Sequence, residues 1–258
     1  MSIKVALCQL LATDSPEDNL RKLEDVVRRE RADLYVLPEM YLSSYTGSLP
    51  DAFASAAVGR LQALCRITRS AVCVGLPVSD HGKLYNSLFF VTDDQVFRYD
   101  KMHLARFGVY SEDRFTPGDS PLMVEWKGFR IGLSVCYDVM FPELHRAYGA
   151  AGADVVIVSS ASLPPSRPYM ERIVPARSLE NTVYTVFVNN IGPCGGDVFF
   201  GGSSLYSPLG ERTVCLGDSE EVGTVTLDKE EISRARSVRH HLEDMRRDVD
   251  WKVRGTSE

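Results

Sequence analysis

A strand pattern that occurs twice constrains the fold of this chain more than any other feature. Residues 32–37 and residues 153–158 both begin with Ala-Asp and continue as a run of mostly apolar residues. Each copy follows a strand-like segment and a helix with a charged face, so each half of the chain contains a related β-α-β unit. Such a unit cannot bury both of its faces alone. No linker of low complexity separates the halves, and we therefore expect one packed α/β domain.

The alternation of strand-like and helix-like segments continues along the whole chain and predicts the α/β class. The first helix has a clear start, because Ser15 is a favourable N-cap and Pro16 suits the first helical position. Further helices are predicted over residues 49–70, 141–151 and 168–181. The predicted strands cover residues 3–11, 32–37, 71–76, 84–91, 95–99, 122–126, 130–135, 153–159, 183–189, 199–206, 213–216 and 222–227.

Charge and composition exclude several classes of protein. The 258 residues include 29 Lys and Arg against 35 Asp and Glu, which gives a net charge of −6. This balance disfavours binding to nucleic acid, which needs a basic surface. No apolar run approaches the roughly 20 residues that span a bilayer, and no targeting segment is visible. The six cysteines include no CxxC pair, so we expect reduced thiols and a cytoplasmic protein.

Cys136 is the first candidate for chemistry, because it ends an apolar strand just before a predicted helix. At such a junction the N–H groups of the helix terminus favour a thiolate and can bind an oxyanion. The alternative is a buried cysteine with a purely structural role, which is the commoner fate of a lone cysteine.

A nucleophilic cysteine needs a base, and no histidine of this chain lies in a familiar cysteine-protease setting. His103 is the one histidine that could be considered as the base, but we expect it to make a structural hydrogen bond to the backbone instead. Glu39 follows the strand over residues 32–37 and could serve as the base if burial raises its pKa. Lys101 could stabilise a tetrahedral oxyanion. As alternatives, Glu39 could be a solvated loop acid and Lys101 a surface lysine paired with Asp100.

These three residues lie in sequence blocks that resemble the signature blocks of the nitrilase superfamily of carbon–nitrogen hydrolases, in the order of that family. The resemblance covers essentially the whole chain, and the ordered set is far more specific than any single block. The blocks are Leu37-Pro38-Glu39-Met40, Tyr99-Asp100-Lys101-Met102-His103-Leu104, Phe115-Thr116-Pro117-Gly118, Cys136-Tyr137-Asp138-Val139-Met140-Phe141-Pro142-Glu143-Leu144, Ala176-Arg177-Ser178-Leu179-Glu180-Asn181 and Gly201-Gly202-Ser203-Ser204.

The resemblance implies a four-layer αββα sandwich, built as a pseudo-symmetric two-sheet single domain over residues 1–258. It also implies that Glu39 is the base, Lys101 the electrostatic catalyst, Cys136 the nucleophile and Glu112 the second glutamate of the family. The backbone N–H of Tyr137 would help to bind the oxyanion. No metal or organic cofactor is implied, and the partner would be a small amide together with a second copy of the chain in a homodimer or a higher homo-oligomer.

The subclass implied is an amidase that converts a small linear amide into a carboxylic acid and ammonia through a cysteine thioester. True nitrilases commonly have Trp-Glu after the cysteine, whereas this chain has Tyr137-Asp138. Met140 stands where relatives acting on ω-amides of dicarboxylic acids usually have arginine. Tyr45 matches an aromatic residue that lines the pocket in the family, or it anchors a loop. An N-carbamoyl amide hydrolase, a nitrilase and a catalytically silent binding or regulatory homologue remain as alternatives.

Two further segments are predicted to have structural roles. Arg177, Glu180 and Asn181 are interpreted as scaffold or dimer-contact residues. The C-terminal arm, from about residue 232 to residue 258, contains several arginines over residues 233–254, but aspartates interrupt them. This pattern predicts a solvated helix followed by a tail that crosses to a second subunit, and it disfavours a nucleic-acid or membrane contact.

Overall fold

The computed structural model describes residues 1–45, 49–106, 111–194 and 196–250, with the backbone alone given for Cys194. The described strands form two six-stranded sheets and a two-stranded ribbon. The first sheet, in the order β14-β1-β2-β3-β4-β5, contains β1 Ser2–Gln9, β2 Leu34–Val36, β3 Ala71–Asp80, β4 Lys83–Val91, β5 Val96–Asp100 and β14 Glu221–Asp228. The second sheet, in the order β13-β12-β9-β8-β7-β6, contains β6 Met123–Trp126, β7 Phe129–Val135, β8 Val155–Ser160, β9 Tyr184–Asn189, β12 Ser204–Tyr206 and β13 Arg212–Cys215.

The remaining elements are the ribbon and the helices. The ribbon pairs β10 Ile191–Cys194 with β11 Asp197–Phe200. The α-helices of the described residues are α1 Pro16–Arg29, α2 Asp51–Thr68, α3 Pro142–Ala150, α4 Arg167–Asn181 and α5 Lys229–Val238. The predicted N-cap of α1 is confirmed, because the Ser15 side chain accepts a hydrogen bond from the Asp18 backbone N–H.

The repeated strand pattern forms the same structure in both halves. Strands β1, β2 and β3 pair in parallel, and so do β7, β8 and β9. The aspartates of the two copies make equivalent contacts, since Asp33 accepts a hydrogen bond from the backbone N–H of Lys4 and Asp154 accepts one from that of Arg130, at 2.8 and 2.9 Å. Each aspartate therefore fixes the register of its strand against the preceding one, and the predicted pseudo-symmetry is confirmed.

Side-chain alternation along these strands creates the layers of the fold. On β2, Leu34 and Val36 lie in the cluster between the two sheets, whereas Tyr35 faces the helices α1 and α2. On β8, Val155 lies between the sheets and Val156 faces α3 and α4. Because successive strand residues point to opposite faces, both strands are buried on both sides. The expected four-layer αββα sandwich is confirmed.

Two predicted strands differ from the structure. Strand β3 continues to Asp80, beyond the predicted end at residue 76, because it pairs with β4 as a long hairpin. The single strand predicted over residues 199–206 is wrong, since β11 ends at Phe200 and β12 begins only at Ser204. Gly201 and Gly202 between them have φ angles of 62° and 67°. This left-handed backbone suits glycine and cannot continue a strand.

The C-terminal arm also differs from its prediction. Helix α5 begins at Lys229 and ends at Val238, and the described residues after it, 239–250, form no further helix. Its inner face is not solvated, because Ile232 is buried with the cluster between the sheets and the Arg236 guanidinium donates to the carbonyl of Ala153. Residues 251–258 lie outside the described residues. None of the helices described is both long and apolar enough to cross a bilayer.

A buried histidine on α3 makes the stability of this fold depend on pH. His145 is fully buried, its Nε2 lies 3.5 Å from the Ser134 hydroxyl, and its Nδ1 has no hydrogen-bond partner among the described residues. Burial, reinforced by the nearby Arg177, lowers the pKa of His145 to about 3. Below its ordinary pKa of about 6.5 the unfolded chain binds a proton that the folded chain refuses. Folding therefore weakens as the pH falls.

We expect the wild-type free energy of unfolding to decrease by about 1.4 kcal/mol more per pH unit than that of His145→Gln, between about pH 6.5 and pH 5. Urea unfolding at several pH values measures both slopes. The comparison uses slopes because the substitution also changes packing at every pH. The exposed His81→Gln variant is the control and should retain the wild-type slope. Parallel slopes for wild type and His145→Gln would contradict the assignment of a neutral buried imidazole.

Candidate active site

Glu39 lies in the loop that follows β2, and this loop is held from both sheets. The Leu37 backbone N–H donates to the carbonyl of Cys73 on β3. From the second sheet, the Asn190 side chain donates to the Glu39 carbonyl at 2.7 Å. Gly75 on β3 makes room for the loop, because a Cβ there would lie 2.5 Å from the Met40 nitrogen. The Glu39 side chain is 1% exposed, so it is not a solvated loop acid.

Lys101 follows β5 and forms ion pairs with both glutamates predicted for the site. Its Nζ lies 2.8 Å from Glu39 Oε1 and 2.7 Å from Glu112 Oε2, and all three side chains are about 1% exposed. Burial alone would lower the pKa of Lys101, but its coulombic interactions with Glu39, Cys136 and Glu112 outweigh burial and raise this pKa well above its usual value. The lysine therefore stays charged, and it is not paired with Asp100.

Glu112 makes two hydrogen bonds to Ala105 as well as pairing with Lys101. Its Oε2 accepts a hydrogen bond from the Ala105 backbone N–H at 2.7 Å, and its own N–H donates to the Ala105 carbonyl at 2.9 Å. Residues 107–110, between Ala105 and Glu112, lie outside the described residues. The structure thus brings Glu112 to the Lys101 ammonium.

Asn86 on β4 is a central residue of this cluster that the sequence reasoning missed. Its amide nitrogen donates to Glu39 Oε1 at 2.7 Å and to Glu112 Oε1 at 2.8 Å, and its backbone carbonyl accepts from the Lys101 N–H at 2.9 Å. Both hydrogens of one amide therefore bridge two carboxylates. The available signal was an asparagine inside a strand of apolar residues.

The hydrogen bonds divide the two oxygens of Glu39 into different roles. Oε1 accepts from Lys101 and Asn86, whereas the buried Oε2 has no partner among the described residues. Burial raises the pKa of Glu39, Glu112 adds to the rise, and Lys101 opposes it. The expected upward shift of this pKa is confirmed. Oε2 is therefore a buried acceptor that is available to take a proton.

Cys136 follows β7 directly with a left-handed backbone, at φ +45°, and begins a 3-10 helical turn over Cys136–Met140. The prediction that helix-terminal N–H groups favour the thiolate is wrong. Burial and the negative charge of Glu39 raise the pKa of Cys136 to about 11, although Lys101 lowers it in part. Desolvation outweighs the local dipoles, so the sulfur is a thiol at neutral pH.

Asp138, two residues after Cys136, connects the turn to the segment that carries Lys101. Its Oδ2 accepts hydrogen bonds from the Val135 N–H and the Tyr99 hydroxyl, at 3.0 and 2.8 Å. Its Oδ1 accepts one from the His103 N–H at 2.8 Å and lies 2.9 Å from the His103 ring. The ring of His103 thus contacts a carboxylate and not the backbone group expected for it.

The two tyrosines predicted to bind substrate lie among aromatic rings. Burial raises the pKa of Tyr45, and the charges of Glu39 and Lys101 also act on its hydroxyl. The Tyr45 ring lies edge-on to Phe199, with the two ring centroids 6.1 Å apart. Tyr137 lies edge-on to Phe141 at 5.2 Å. The structure therefore brings Tyr45 to the charged cluster, and the binding roles of both tyrosines stay predictions.

The scaffold role of Arg177 is confirmed by its contacts. Its guanidinium donates to the carbonyls of Val139 and Met140 and pairs with Glu180, and in this way α4 supports the turn that follows Cys136. Asn181 caps the carbonyl of Arg177. No group of three or more His, Cys, Asp or Glu side chains in the described part of the chain could hold a metal ion.

The profile of the carbon-nitrogen hydrolase family matches residues 4–237. An (R)-stereoselective amidase from Pseudomonas sp. is 36% identical over 224 residues, covering 83% of this chain and 80% of its own. A glutamine-for-glutamate mutant of an amidase from Nesterenkonia sp. AN1 has a TM-score of 0.81 and 28% identity, covering 94% of this chain and 97% of its own. That structure shows the acetamide moiety of fluoroacetamide attached covalently to the active-site cysteine.

A carbon-nitrogen hydrolase from Helicobacter pylori supports the fold alone, with a TM-score of 0.88, 23% identity, and coverage of 95% of this chain and 96% of its own. The chain belongs to the carbon-nitrogen hydrolase family. Within it, the relatives place the protein in the amidase-like branch of the nitrilase superfamily, as a thiol-dependent hydrolase of C–N bonds.

Proposed function

We propose that this protein is an amidase that releases ammonia from a small linear amide through a thioester on Cys136. The observation that carries the proposal is the buried cluster in which Lys101 binds Glu39 and Glu112 while Oε2 of Glu39 has no partner among the described residues. The mutual influence of Glu39, Lys101 and Cys136 on one another's pKa supports their assignment to one reaction centre.

In the first half of the reaction, Glu39 Oε2 takes the thiol proton as the Cys136 sulfur attacks the amide carbonyl carbon. A C–S bond forms, and the carbonyl π electrons move to the oxygen. Because the thiol pKa is about 11, the thiolate forms at the moment of attack. Lys101, assisted by the Tyr137 backbone N–H, stabilises the oxyanion. When the oxyanion collapses, the C–N bond breaks and Glu39 returns the proton to the departing ammonia.

In the second half, water replaces the sulfur. Glu39 takes a proton from the water, and the resulting hydroxide attacks the thioester carbonyl. Collapse of this second oxyanion breaks the C–S bond, and the proton returns from Glu39 to the sulfur. The charge of Glu112 keeps Lys101 protonated and in place throughout. These steps use side chains and one backbone N–H of this protein, together with water.

Release of ammonia over a panel of amides tests the proposal. The panel should contain aliphatic, aromatic and ω-carboxy amides, with N-carbamoyl compounds and nitriles as competing classes. We expect one ammonia and one carboxylic acid from each amide consumed. Release of carbon dioxide as well would assign an N-carbamoyl hydrolase, and conversion of nitriles alone would assign a nitrilase. Protein inert to all three classes would leave the silent homologue.

Replacing the base should abolish most amide turnover while the sulfur can still be alkylated. We expect Glu39→Gln to lower kcat for the best amide by about 10²-fold to 10⁴-fold, because general acid–base catalysis contributes that much. Fluoroacetamide should nevertheless attach to Cys136, as it does to the cysteine of the Nesterenkonia amidase mutant. Amide kinetics and intact-protein mass measure the two effects.

Glu24→Gln is the matched control for the base. Glu24 is also a buried glutamate with a cationic partner, Arg60, but it lies on α1. Its substitution should retain kcat within about twofold. A Glu39→Gln enzyme with full turnover would refute the assignment of Glu39 as the base.

We also propose that the protein is a cytoplasmic homodimer or higher homo-oligomer, with no nucleic-acid or membrane partner. Exposed apolar side chains on and near α4 support self-association, since Tyr169, Leu179 and Leu209 are 60%, 41% and 40% exposed. Covering such a surface favours association. Sedimentation velocity should give the mass of at least two chains for wild type and a lower mass for Leu179→Arg. A monomeric wild type would refute this part of the proposal.

A further inference from the structure

A serine just after β8 contacts the sulfur of Cys136. The Ser162 hydroxyl lies 3.6 Å from the Cys136 Sγ, within hydrogen-bond distance for sulfur, and its side chain is buried. A second hydroxyl, that of Ser160, lies 2.8 Å from the Ser162 oxygen and is fully buried. The three groups form a short chain that leads from the nucleophile into the second sheet.

The backbone of Ser162 is held on both sides by one asparagine of β9. The Ser162 N–H donates to Asn189 Oδ1 at 2.7 Å, and Asn189 Nδ2 donates to the Ser162 carbonyl at 3.2 Å. Asn189 Nδ2 also donates to the carbonyl of Gly201 at 3.0 Å. Because Asn189 is fully buried, the clamp fixes the place of the Ser162 hydroxyl relative to the sheet.

The same segment also positions the loop of the proposed base. The Ser160 carbonyl accepts a hydrogen bond from the Glu39 N–H at 3.3 Å, and the Ser159 hydroxyl donates to the Leu37 carbonyl at 2.8 Å. Residues 159–162 therefore connect the loop of Glu39 with the sulfur of Cys136. A hydroxyl placed here reaches the reacting atom without disturbing the base.

We propose that Ser162 is a further catalytic residue, whose hydroxyl donates a hydrogen bond to the Cys136 sulfur whenever that sulfur is negatively charged. The inference rests on the proposed function, because it assigns one more residue to the same reaction. The proton of the thiol still goes to Glu39, and Ser162 neither gains nor loses one. The Ser160 hydroxyl lies within hydrogen-bond distance of the Ser162 oxygen, and a hydrogen bond from Ser160 also lowers the pKa of Cys136. The two hydroxyls therefore support the thiolate together.

Two stages of the reaction use this hydrogen bond. Negative charge develops on the sulfur when Glu39 removes the thiol proton, and again when the C–S bond of the thioester breaks. The Cys136 side chain is half-buried, and a hydrogen bond to a charged group is stronger than one to a neutral group. Because the pKa of Cys136 is raised to about 11, the thiolate is costly to form, and a hydrogen-bond donor to the sulfur lowers that cost.

The test compares Ser162→Val with Ser162→Thr, two side chains of the same shape that differ in the hydroxyl. The readout is the rate of Cys136 alkylation by iodoacetamide at one fixed pH, followed by intact mass in a Cys215→Ala background because Cys215 is exposed. We expect Ser162→Val to react about tenfold more slowly than Ser162→Thr, because a hydrogen bond to a charged group contributes at least about 1.5 kcal/mol. The kcat for the best amide should fall by a similar factor.

Among the described residues, the titratable groups that interact with the sulfur include Glu39, Lys101 and Tyr45, and none of them changes in this comparison. Ser178→Ala is the matched control, since Ser178 is a buried serine on α4 that bonds the Thr185 hydroxyl at 2.7 Å, outside the cluster. It should react at the wild-type rate. Equal alkylation rates for Ser162→Val and Ser162→Thr would overturn the proposal.

The alkylation rate and the amide turnover distinguish failure of the Ser162 proposal from failure of the proposed function. If the wild type hydrolyses no amide but Ser162→Val still slows alkylation, the proposed function fails and the contact between Ser162 and the thiolate stands. If amides are hydrolysed and the two variants react alike, the role of Ser162 fails and the amidase stands.

Discussion

Cys136→Ala should reduce ammonia release from every amide to the level of the buffer blank. The substitution removes the only atom that can form the thioester in the proposed mechanism, and losing the nucleophile of a catalytic set can lower kcat by about 10⁶-fold. Cys136→Ser should be nearly as inactive, because a serine hydroxyl is a far weaker nucleophile for this base. Ammonia assays at high enzyme concentration measure both. Intact mass should show an acyl adduct on the wild type alone.

The control for this experiment is another buried thiol. Cys65 on α2 is buried, and its sulfur bonds the Val91 carbonyl away from the cluster. Cys65→Ala should retain ammonia release, and circular dichroism should show that Cys136→Ala is folded. Equal turnover by wild type and Cys136→Ala would refute the thioester mechanism entirely. Loss of activity in both alanine variants would instead indicate damage to the fold.

The sequence predicted the strands and helices of this fold best where a pattern is local and repeated. The Ala-Asp start at residues 32 and 153 predicted two equivalent β-α-β units, and Asp33 and Asp154 hold equivalent backbone N–H groups. The strand prediction near the end of the second half, over residues 199–206, was wrong. Strand β10 lies beside β11 in a separate ribbon, and the Gly201-Gly202 pair interrupts the strand predicted there. The two adjacent glycines were the available signal.

The site residues were predictable as a set but not as a network. Glu39, Lys101 and Cys136 follow three different strands, and the ordered blocks identified them. Asn86 was missed because its role depends on the pairing of β4 with β5, which places its carbonyl opposite the Lys101 N–H. Ser162 was missed because its contact with Cys136 depends on how a loop turns after β8. Neither contact is encoded in neighbouring residues.

The ionisation of the cysteine illustrates the limit more sharply. A strand-to-helix junction predicted a lowered thiol pKa, yet burial raises the pKa of Cys136 to about 11. Desolvation depends on everything that covers the sulfur, whereas the effect of the dipoles depends on a few adjacent N–H groups. A sequence motif reveals the adjacent N–H groups, but it does not reveal how deeply the sulfur is covered.

Lys101→Met should destabilise the protein as well as inactivate it. The substitution leaves Glu39 and Glu112 buried, close together and without the ammonium that lies 2.8 and 2.7 Å from them. Removing one partner of a buried ion pair costs about 3–5 kcal/mol, so we expect a loss of that size in the free energy of unfolding at neutral pH. Loss of oxyanion stabilisation should lower kcat by at least about 10²-fold. Urea unfolding and amide kinetics measure the two effects.

The loss of stability should shrink as the pH falls. Burial and Glu112 already raise the pKa of Glu39, which Lys101 opposes, and without Lys101 the pKa of Glu39 should rise further. The folded variant then holds a proton that the unfolded chain releases above its ordinary glutamate pKa of about 4.3. The contribution of this carboxyl to stability is thus greatest at low pH and declines as the pH rises. The difference from wild type should be smaller near pH 5 than near pH 7.

Two variants make this test specific. Lys127→Met removes a lysine that pairs with Asp33 at the surface, where both side chains are more than a third exposed, and it should cost less than about 1 kcal/mol. Lys101→Met combined with Glu112→Gln removes one of the two stranded charges and should recover part of the lost stability, as a double-mutant cycle would show. If Lys101→Met is as stable as Lys127→Met at every pH, the ammonium does not neutralise the glutamates. The electrostatic basis of the proposed site would then fail.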